Sequence, residues 1–348
     1  MSQYNSLNYG SVTSSGADIP KKELPPVGGF PNRSEPTSAY ELLKTALFVV
    51  AWYLLNVLYN IDNKTTLIMF PLPWTVAASQ LLLGWVFIFS MWILKLRPFP
   101  ILRNFESFCI AIVPQGICHL LVHIGAVVSI NLGAVSFTHI VKAGEPVITA
   151  ILSGFILKDV ISWQTSLTLI PIVSGVALAS LKELSFTWKS FAFAMVSNFG
   201  SSGRAIFAKK VMADPSTAGE NLSSSNLFAL VTIVATVLAI PVALVMEGPY
   251  IRSVWIECTG PESLYTGKAI LTKLVVSAAW YYAYNEVAFI CLSRVNQITH
   301  SVLNTIKRIV IIVSAIVFFR TPLTPLGSAG SAIAILGTFL YSMSKRNK

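Results

Sequence analysis

Charge is scarce in this sequence, and acidic charge scarcest of all. Only 11% of its 348 residues are charged, and just 15 are Asp or Glu. Soluble domains carry about 25% charged residues, so a water-facing surface over the whole of this chain is excluded. Strand-like alternation of apolar and polar residues is missing too, which argues against a membrane β-barrel. Cysteine is sparse: Cys109, Cys118, Cys258 and Cys291 are scattered without a CxxC pair, so neither a zinc site nor a disulfide framework is supported. A membrane enzyme acting on phospholipid or phosphosugar needs a nucleophile, base or metal cluster, and isolated histidines with few acids do not supply one.

What the sequence has instead is a series of apolar runs of about 20 residues, each able to cross the ~30 Å hydrocarbon layer as a helix. Ten spans are predicted, at 41–61, 74–94, 106–129, 133–157, 162–181, 187–209, 225–246, 270–293, 297–319 and 324–344. Pro and Gly punctuate the joints (Pro71, Pro73, Pro98, Pro100, Pro322, Pro325), and the longest connection, 247–269, is expected on the surface. The first 38 residues are polar and read as disordered. They hold no apolar signal core, and Asp18, Glu23 and Glu35 do not suit an ordinary transit peptide.

The fold class is therefore an all-α membrane protein of ten transmembrane helices. Its predicted units are a tail at 1–38, five-helix repeats at 39–184 and 185–345, and a short C-terminal tail at 346–348. His139-Ile-Val-Lys142 in the fourth span is echoed by Asn304-Thr-Ile-Lys307 in the ninth. Five spans per half is an odd number, so the second half must be inverted, a recurring plan of secondary transporters. Lys and Arg are twice as frequent on the terminus side, which predicts termini facing the cytosol or its equivalent. Part of the +10 net charge is thereby explained without nucleic acid as a partner.

The remaining excess lies within the spans. Lys142, Lys307 and Arg308 sit near mid-span, and Arg204 lies towards the end of the sixth. A charge at the bilayer centre costs about 2.5–3.5 kcal/mol on insertion scales, and snorkelling does not reach from such depth. Such cations face a water-filled cavity, an internal acid or a ligand. Glu145, one turn after Lys142, and Glu286 in the eighth span are the interior acids. Even with both paired, positive charge is left over, which points to an anion. A phosphoryl group carries about −1.5 to −2 charge, and Lys and Arg are its usual ligands. The alternatives are a structural ion-pair network between spans and, for Arg204, a reach to the headgroups.

Polar neighbours support a cavity. His119 and His123 share a helix face, and Tyr282, Tyr284, Asn285 and Glu286 interrupt the eighth span. His123 and Tyr284 are candidates for substrate contact, with helix packing as the alternative for each. No third ligand accompanies the two histidines, so no metal is expected. Pro146, Pro171 and Pro241 predict bends. Gly84, Gly125, Gly133, Gly154 and Gly175 predict close helix packing.

The segment Val135-Ser-Phe-Thr-His-Ile-Val-Lys-Ala-Gly-Glu-Pro146 resembles a signature of the plastid phosphate translocators, within the drug/metabolite transporter superfamily. So do Asn198 with Arg204-Ala-Ile-Phe-Ala-Lys-Lys210, Tyr284-Asn285, Thr305-Ile-Lys-Arg308, Thr321-Pro322 and Gly337-Thr-Phe-Leu-Tyr341. The resemblance spans about residues 40–345. It implies antiport of inorganic phosphate against phosphorylated three-carbon compounds (triose phosphate, 3-phosphoglycerate, phosphoenolpyruvate) across a plastid membrane, with no cofactor. Lys142, Lys307 and Arg308 would bind phosphate, His123 and Tyr284 would line the pocket, and Arg204 would line or gate it. Glu286 stands where plant members carry Gln, and Ala126 stands where triose-phosphate carriers carry a hydroxyl residue. Hexose-phosphate members resemble this chain at Ala126, so a hexose-phosphate antiporter is the alternative, and a nucleotide-sugar carrier a more distant one. The N-terminus resembles carriers of secondary plastids such as the apicoplast, with Tyr9-Gly10 a candidate sorting signal.

Overall fold

A computed structural model describes residues 39–158, 162–181, 186–213, 219–295, 297–321 and 324–344. The predicted tails and the boundary between the two repeats at 184–185 lie outside these residues. The described residues are mainly helical: α1 Ala39–Met69, α2 Pro73–Ile93, α3 Phe105–Ala111, α4 Val113–Leu132, α5 Val135–Lys142, α6 Glu145–Leu157, α7 Trp163–Leu167, α8 Leu169–Leu181, α9 Trp188–Ala213, α10 Ser224–Thr259, α11 Gly267–Arg294, α12 Gln297–Phe319 and α13 Pro325–Ser344. Among the described residues, eight helical segments are long and apolar enough to cross a membrane. They are α1, α2, α3–α4, α5–α6, α7–α8, α10, α12 and α13. The helices α9 and α11, of 26 and 28 residues, are long enough by length alone.

Two predicted boundaries are corrected. The first helix does not stop at residue 61 but runs on to Met69, because its late charges are paired. Asp62 accepts from Lys273 Nζ at 2.5 Å and from Trp280 Nε1 at 2.9 Å. Lys64 donates to the carbonyls of Ile130 and Gly133, at 2.7 and 2.9 Å, where α4 ends and its last carbonyls need partners. Nor is 247–269 a surface loop throughout, since α10 continues through Gly248 and Pro249 to Thr259. A proline inside a helix removes one backbone bond, and tertiary contacts outweigh that here. Glu247 is buried and accepts from the amides of Trp74 (3.1 Å) and Thr75 (2.7 Å), in the first turn of α2. Trp255 meets the edge of Phe70 at 6.0 Å.

Three predicted spans are broken helices. The third turns at Ile112 just before Pro114, the fifth at Thr168, and the fourth at Ala143–Gly144, where Pro146 lies in the first turn of α6. The most extensive packing is of α4 along α9, α8 along α13 and α1 along α11, followed by α2 against α10, α10 against α4, α11 against α2 and α6 against α9; α5 also packs against α12. Glycine permits the closest approach, between α8 and α13. A Cβ on Gly175 would stand 2.3 Å from the Ala334 nitrogen, and one on Gly330 2.4 Å from the Ala179 nitrogen. Gly125 is likewise packed on the α9 backbone, whereas Gly154 faces open space and Gly84 meets only ordinary contacts, so the packing role expected of those two is not needed. A two-residue antiparallel pairing, β1 Ile101–Leu102 with β2 Gly219–Glu220, ties the α2–α3 and α9–α10 connections together. Gly219 has φ +136°, and a Cβ there would strike the Ile101 carbonyl.

Candidate functional site

The break in α5–α6 organises the centre of the molecule. Buried backbone groups in a bilayer must find partners within the protein, and here side chains from other helices meet the carbonyls around the break. Asn198 of α9 donates to the Val141 carbonyl at 2.9 Å, Thr338 of α13 donates to that of Ala143 at 3.1 Å, and Ser202 of α9 reaches that of Glu145 at 3.4 Å. The break leaves Lys142 in the last turn of α5 and Glu145 in the first turn of α6, where each charge suits the helix end it occupies.

That geometry separates the partners of Lys142 and Glu145, which lie one turn apart in sequence. Glu145 forms an ion pair with Arg308 of α12, while Lys142 Nζ lies 2.5 Å from Ser197 Oγ of α9. The turn between the two helices removes the shared face that a continuous helix would provide. Arg308 is buried, and its second terminal nitrogen, Nη1, has no hydrogen-bond partner among the described residues. Lys307 lies over the Trp52 ring of α1, 4.6 Å from its centroid. His139 Nε2 is 2.9 Å from Asn60 Oδ1, and Asn60 in turn donates to the Asn56 carbonyl and amide oxygens.

Lys142, Lys307, Arg308 and Arg204 all lie within electrostatic reach of Glu145. Four cations share one carboxylate there among the described residues, a surplus of three positive charges. Glu286, the other acid expected near them, is engaged elsewhere: it pairs with Arg97 at 2.5 Å and accepts from the Tyr282 hydroxyl at 3.3 Å. Tyr282 itself stacks on Phe87, with ring centroids 5.0 Å apart, and belongs to the packing rather than to the cation centre.

An aromatic wall adjoins the cations. The rings of His123 and Tyr281 have centroids 4.0 Å apart, Tyr281 and Tyr284 lie 5.7 Å apart, and Tyr59 lies 5.1 Å from Tyr284. His123 is buried with Nε2 lacking a partner among the described residues. Arg204 Nη1 lies 3.1 Å from Nδ1 of the buried His119. All six residues singled out in the sequence are thus gathered from α4, α5, α9, α11 and α12 into one region. Sequence reasoning missed Ser197, Asn60, Trp52 and Tyr281. Ser190, Ser197 and Ser201, buried on α9, repeat at helical spacing and were a legible polar stripe. Trp52 carries no such signal.

The profile of the Triose-phosphate Transporter family matches residues 43–342. Phosphoenolpyruvate/phosphate translocator 3, chloroplastic, of Oryza sativa subsp. japonica is 39% identical over 308 residues, covering 88% of this chain and 76% of that one. Glucose-6-phosphate/phosphate translocator 1, chloroplastic, of Arabidopsis thaliana is 36% identical over 326 residues, 93% of this chain and 81% of that one. Triose phosphate/phosphate translocator, chloroplastic, of Pisum sativum is 38% identical over 340 residues, 96% of this chain and 79% of that one. A solved structure titled "Crystal structure of protein" aligns over 90% of this chain at 11% identity with a TM-score of 0.49, a likeness too slight to carry a conclusion. With a family profile over most of its length and relatives well above 30% identity, the chain belongs to the triose-phosphate transporter family of membrane carriers.

Proposed function

We propose that this protein is an antiporter that exchanges inorganic phosphate for phosphorylated three-carbon compounds across a plastid membrane by alternating access. The observation that carries the reading is the surplus of interior cations, with a buried Arg308 nitrogen left unpartnered. A dianionic phosphoryl group answers both features: Lys142 and Lys307 supply point charges, and Arg308 has one arm on Glu145 and one for a phosphate oxygen. Phosphate and the phosphoryl end of the organic substrate take the same place in turn. Occluding the site empty would bury unpaired charge at a cost of several kcal/mol per ion. The empty carrier therefore seldom reorients, and transport is exchange.

Ten spans in two inverted repeats, 39–184 and 185–345, give this site its place at the midplane. In that reading α9 and α11 also cross, and their low apolarity comes from the polar residues they bring to the site and to buried helix contacts, such as Ser197, Asn198, Arg204 and Asn285. The helix packing supports it. Exchanging each of the first five segments for its counterpart five later turns the α4–α9 contact into the α11–α1 contact, and α10–α4 into α2–α11. The α5–α12, α8–α13 and α2–α10 contacts map onto themselves. Lys142 of the fourth segment against the sixth then corresponds to Lys307 of the ninth against the first. The termini face the cytosolic side.

The test is uptake of labelled phosphate into liposomes holding purified protein and preloaded with phosphate, dihydroxyacetone phosphate, 3-phosphoglycerate, phosphoenolpyruvate, glucose 6-phosphate or nothing. Uptake that requires an internal anion and disappears in Lys142→Ala supports the antiporter. Equal uptake into empty liposomes refutes obligatory exchange. The relative named for glucose 6-phosphate favours one second reading, hexose-phosphate antiport, and a preference for glucose 6-phosphate inside would establish it.

A further inference from the structure

Arg204, His119 and Tyr281 form a hydrogen-bonded chain across three helices. Arg204 Nη1 on α9 lies 3.1 Å from His119 Nδ1 on α4, and His119 Nε2 lies 3.1 Å from the Tyr281 hydroxyl on α11. We propose that His119 is a positioning residue, held as the neutral Nε2–H tautomer, which fixes the direction of both the Arg204 guanidinium and the Tyr281 hydroxyl in the anion pocket.

The tautomer follows from donor counting. A guanidinium has five N–H donors and no acceptor, so His119 Nδ1 must accept. The ring then carries its hydrogen on Nε2 and gives it to the Tyr281 oxygen. With that oxygen accepting, the Tyr281 hydroxyl hydrogen is left to point away from His119. His119 cannot turn to satisfy other groups. It is only 1% exposed, and its ring meets Phe228 edge-on, at 5.7 Å and 89°. Tyr281 is buried as well and is pressed between the His123 ring, the Tyr284 ring and, 5.5 Å away, the Tyr59 ring. Its hydroxyl is therefore aligned by His119 while its ring is aligned by three aromatic neighbours. Arg204 gains a fixed direction in the same way, one guanidinium nitrogen being spent on His119. A second consequence is that a doubly protonated His119 would lose its bond to Arg204, so the arrangement requires the neutral ring.

The inference rests on the phosphate-antiport reading for its effect on transport, but not for the tautomer. Exchange of phosphate is measured in proteoliposomes for His119→Leu, His119→Asn, Arg204→Gln and the double variant His119→Leu with Arg204→Gln. Loss of a hydrogen bond to a charged group predicts that His119→Leu raises the apparent KM for phosphate about tenfold or more, with a smaller change at saturation. His119→Asn sets an amide oxygen near the place of Nδ1 and should stay within about threefold of the parent. The double variant should be no worse than Arg204→Gln alone, since coupled residues are not additive. Independent, additive losses would overturn the proposal and leave His119 a residue of the core only. Solid-state NMR of 15N-histidine protein in bilayers tests the tautomer without transport, even should His119→Leu fail to fold. An unprotonated Nδ1 and a protonated Nε2 on His119 are expected, and a protonated Nδ1 refutes it. Absence of exchange in the parent protein would sink the antiport reading while leaving the tautomer result to stand.

Discussion

Arg308→Lys probes the anion site most directly. Arg308 is 7% exposed, with one terminal nitrogen on Glu145 and the other without a partner among the described residues. A lysine keeps the charge but cannot hold a carboxylate and a phosphate oxygen in two fixed directions at once. Truncation to Met would be less informative, because it removes the ion-pair partner of Glu145 together with the anion ligand. With Lys the net charge of the site is unchanged, and what is lost is one charge-assisted bond, about 1.5–3 kcal/mol. At 1.4 kcal/mol per decade this raises the apparent KM for phosphate by roughly 10- to 100-fold. Initial rates of phosphate–phosphate exchange in liposomes, over a range of external phosphate, measure it. Thermal unfolding in detergent, run alongside, checks that the fold is kept. A variant with the parent KM and the parent unfolding temperature would show that Arg308 serves Glu145 alone, and the phosphate-binding argument would fail.

Other consequences can be checked with the same preparations. Thr338→Val removes the donor to the Ala143 carbonyl at the break in the fourth span, so it should destabilise by about 1 kcal/mol and slow exchange, while Thr338→Ser restores both. Unchanged unfolding and exchange in the valine variant would mean that the break is self-supporting. Gly175→Val places a Cβ against the α13 backbone, an overpacking worth about 1–3 kcal/mol or more. A lowered unfolding temperature is expected, and parent-like stability would argue against the close α8–α13 crossing. Glu286→Gln breaks the ion pair with Arg97, away from the cation centre, so the KM for phosphate should change less than about threefold, as for sites that share no partners. A tenfold change would place Glu286 at the site after all.

Membrane class, the approximate helix positions and the identity of the interior cations were legible in the sequence, because each rests on a local rule. An apolar run of sufficient length crosses a bilayer, and a Lys or Arg far from both ends of such a run is costly wherever the helix goes. Lys142, Lys307 and Arg308 needed no partner to stand out. The boundaries failed where a distant group reversed the local preference: α1 runs through Asp62 because Lys273 and Trp280 meet it, and α10 runs past Pro249 while Glu247 holds the start of α2. Pairings were the least legible. Glu145 and Lys142 are three residues apart, and a continuous helix would join them. The break at Ala143–Gly144, held by Asn198 and Thr338 from other helices, sends one charge to Arg308 and the other to Ser197. Spacing along a chain fixes which residues share a helix face only while the helix lasts. Which partner each charge takes depends on contacts between residues 55 to 195 positions apart in the chain, and tertiary structure alone decided it.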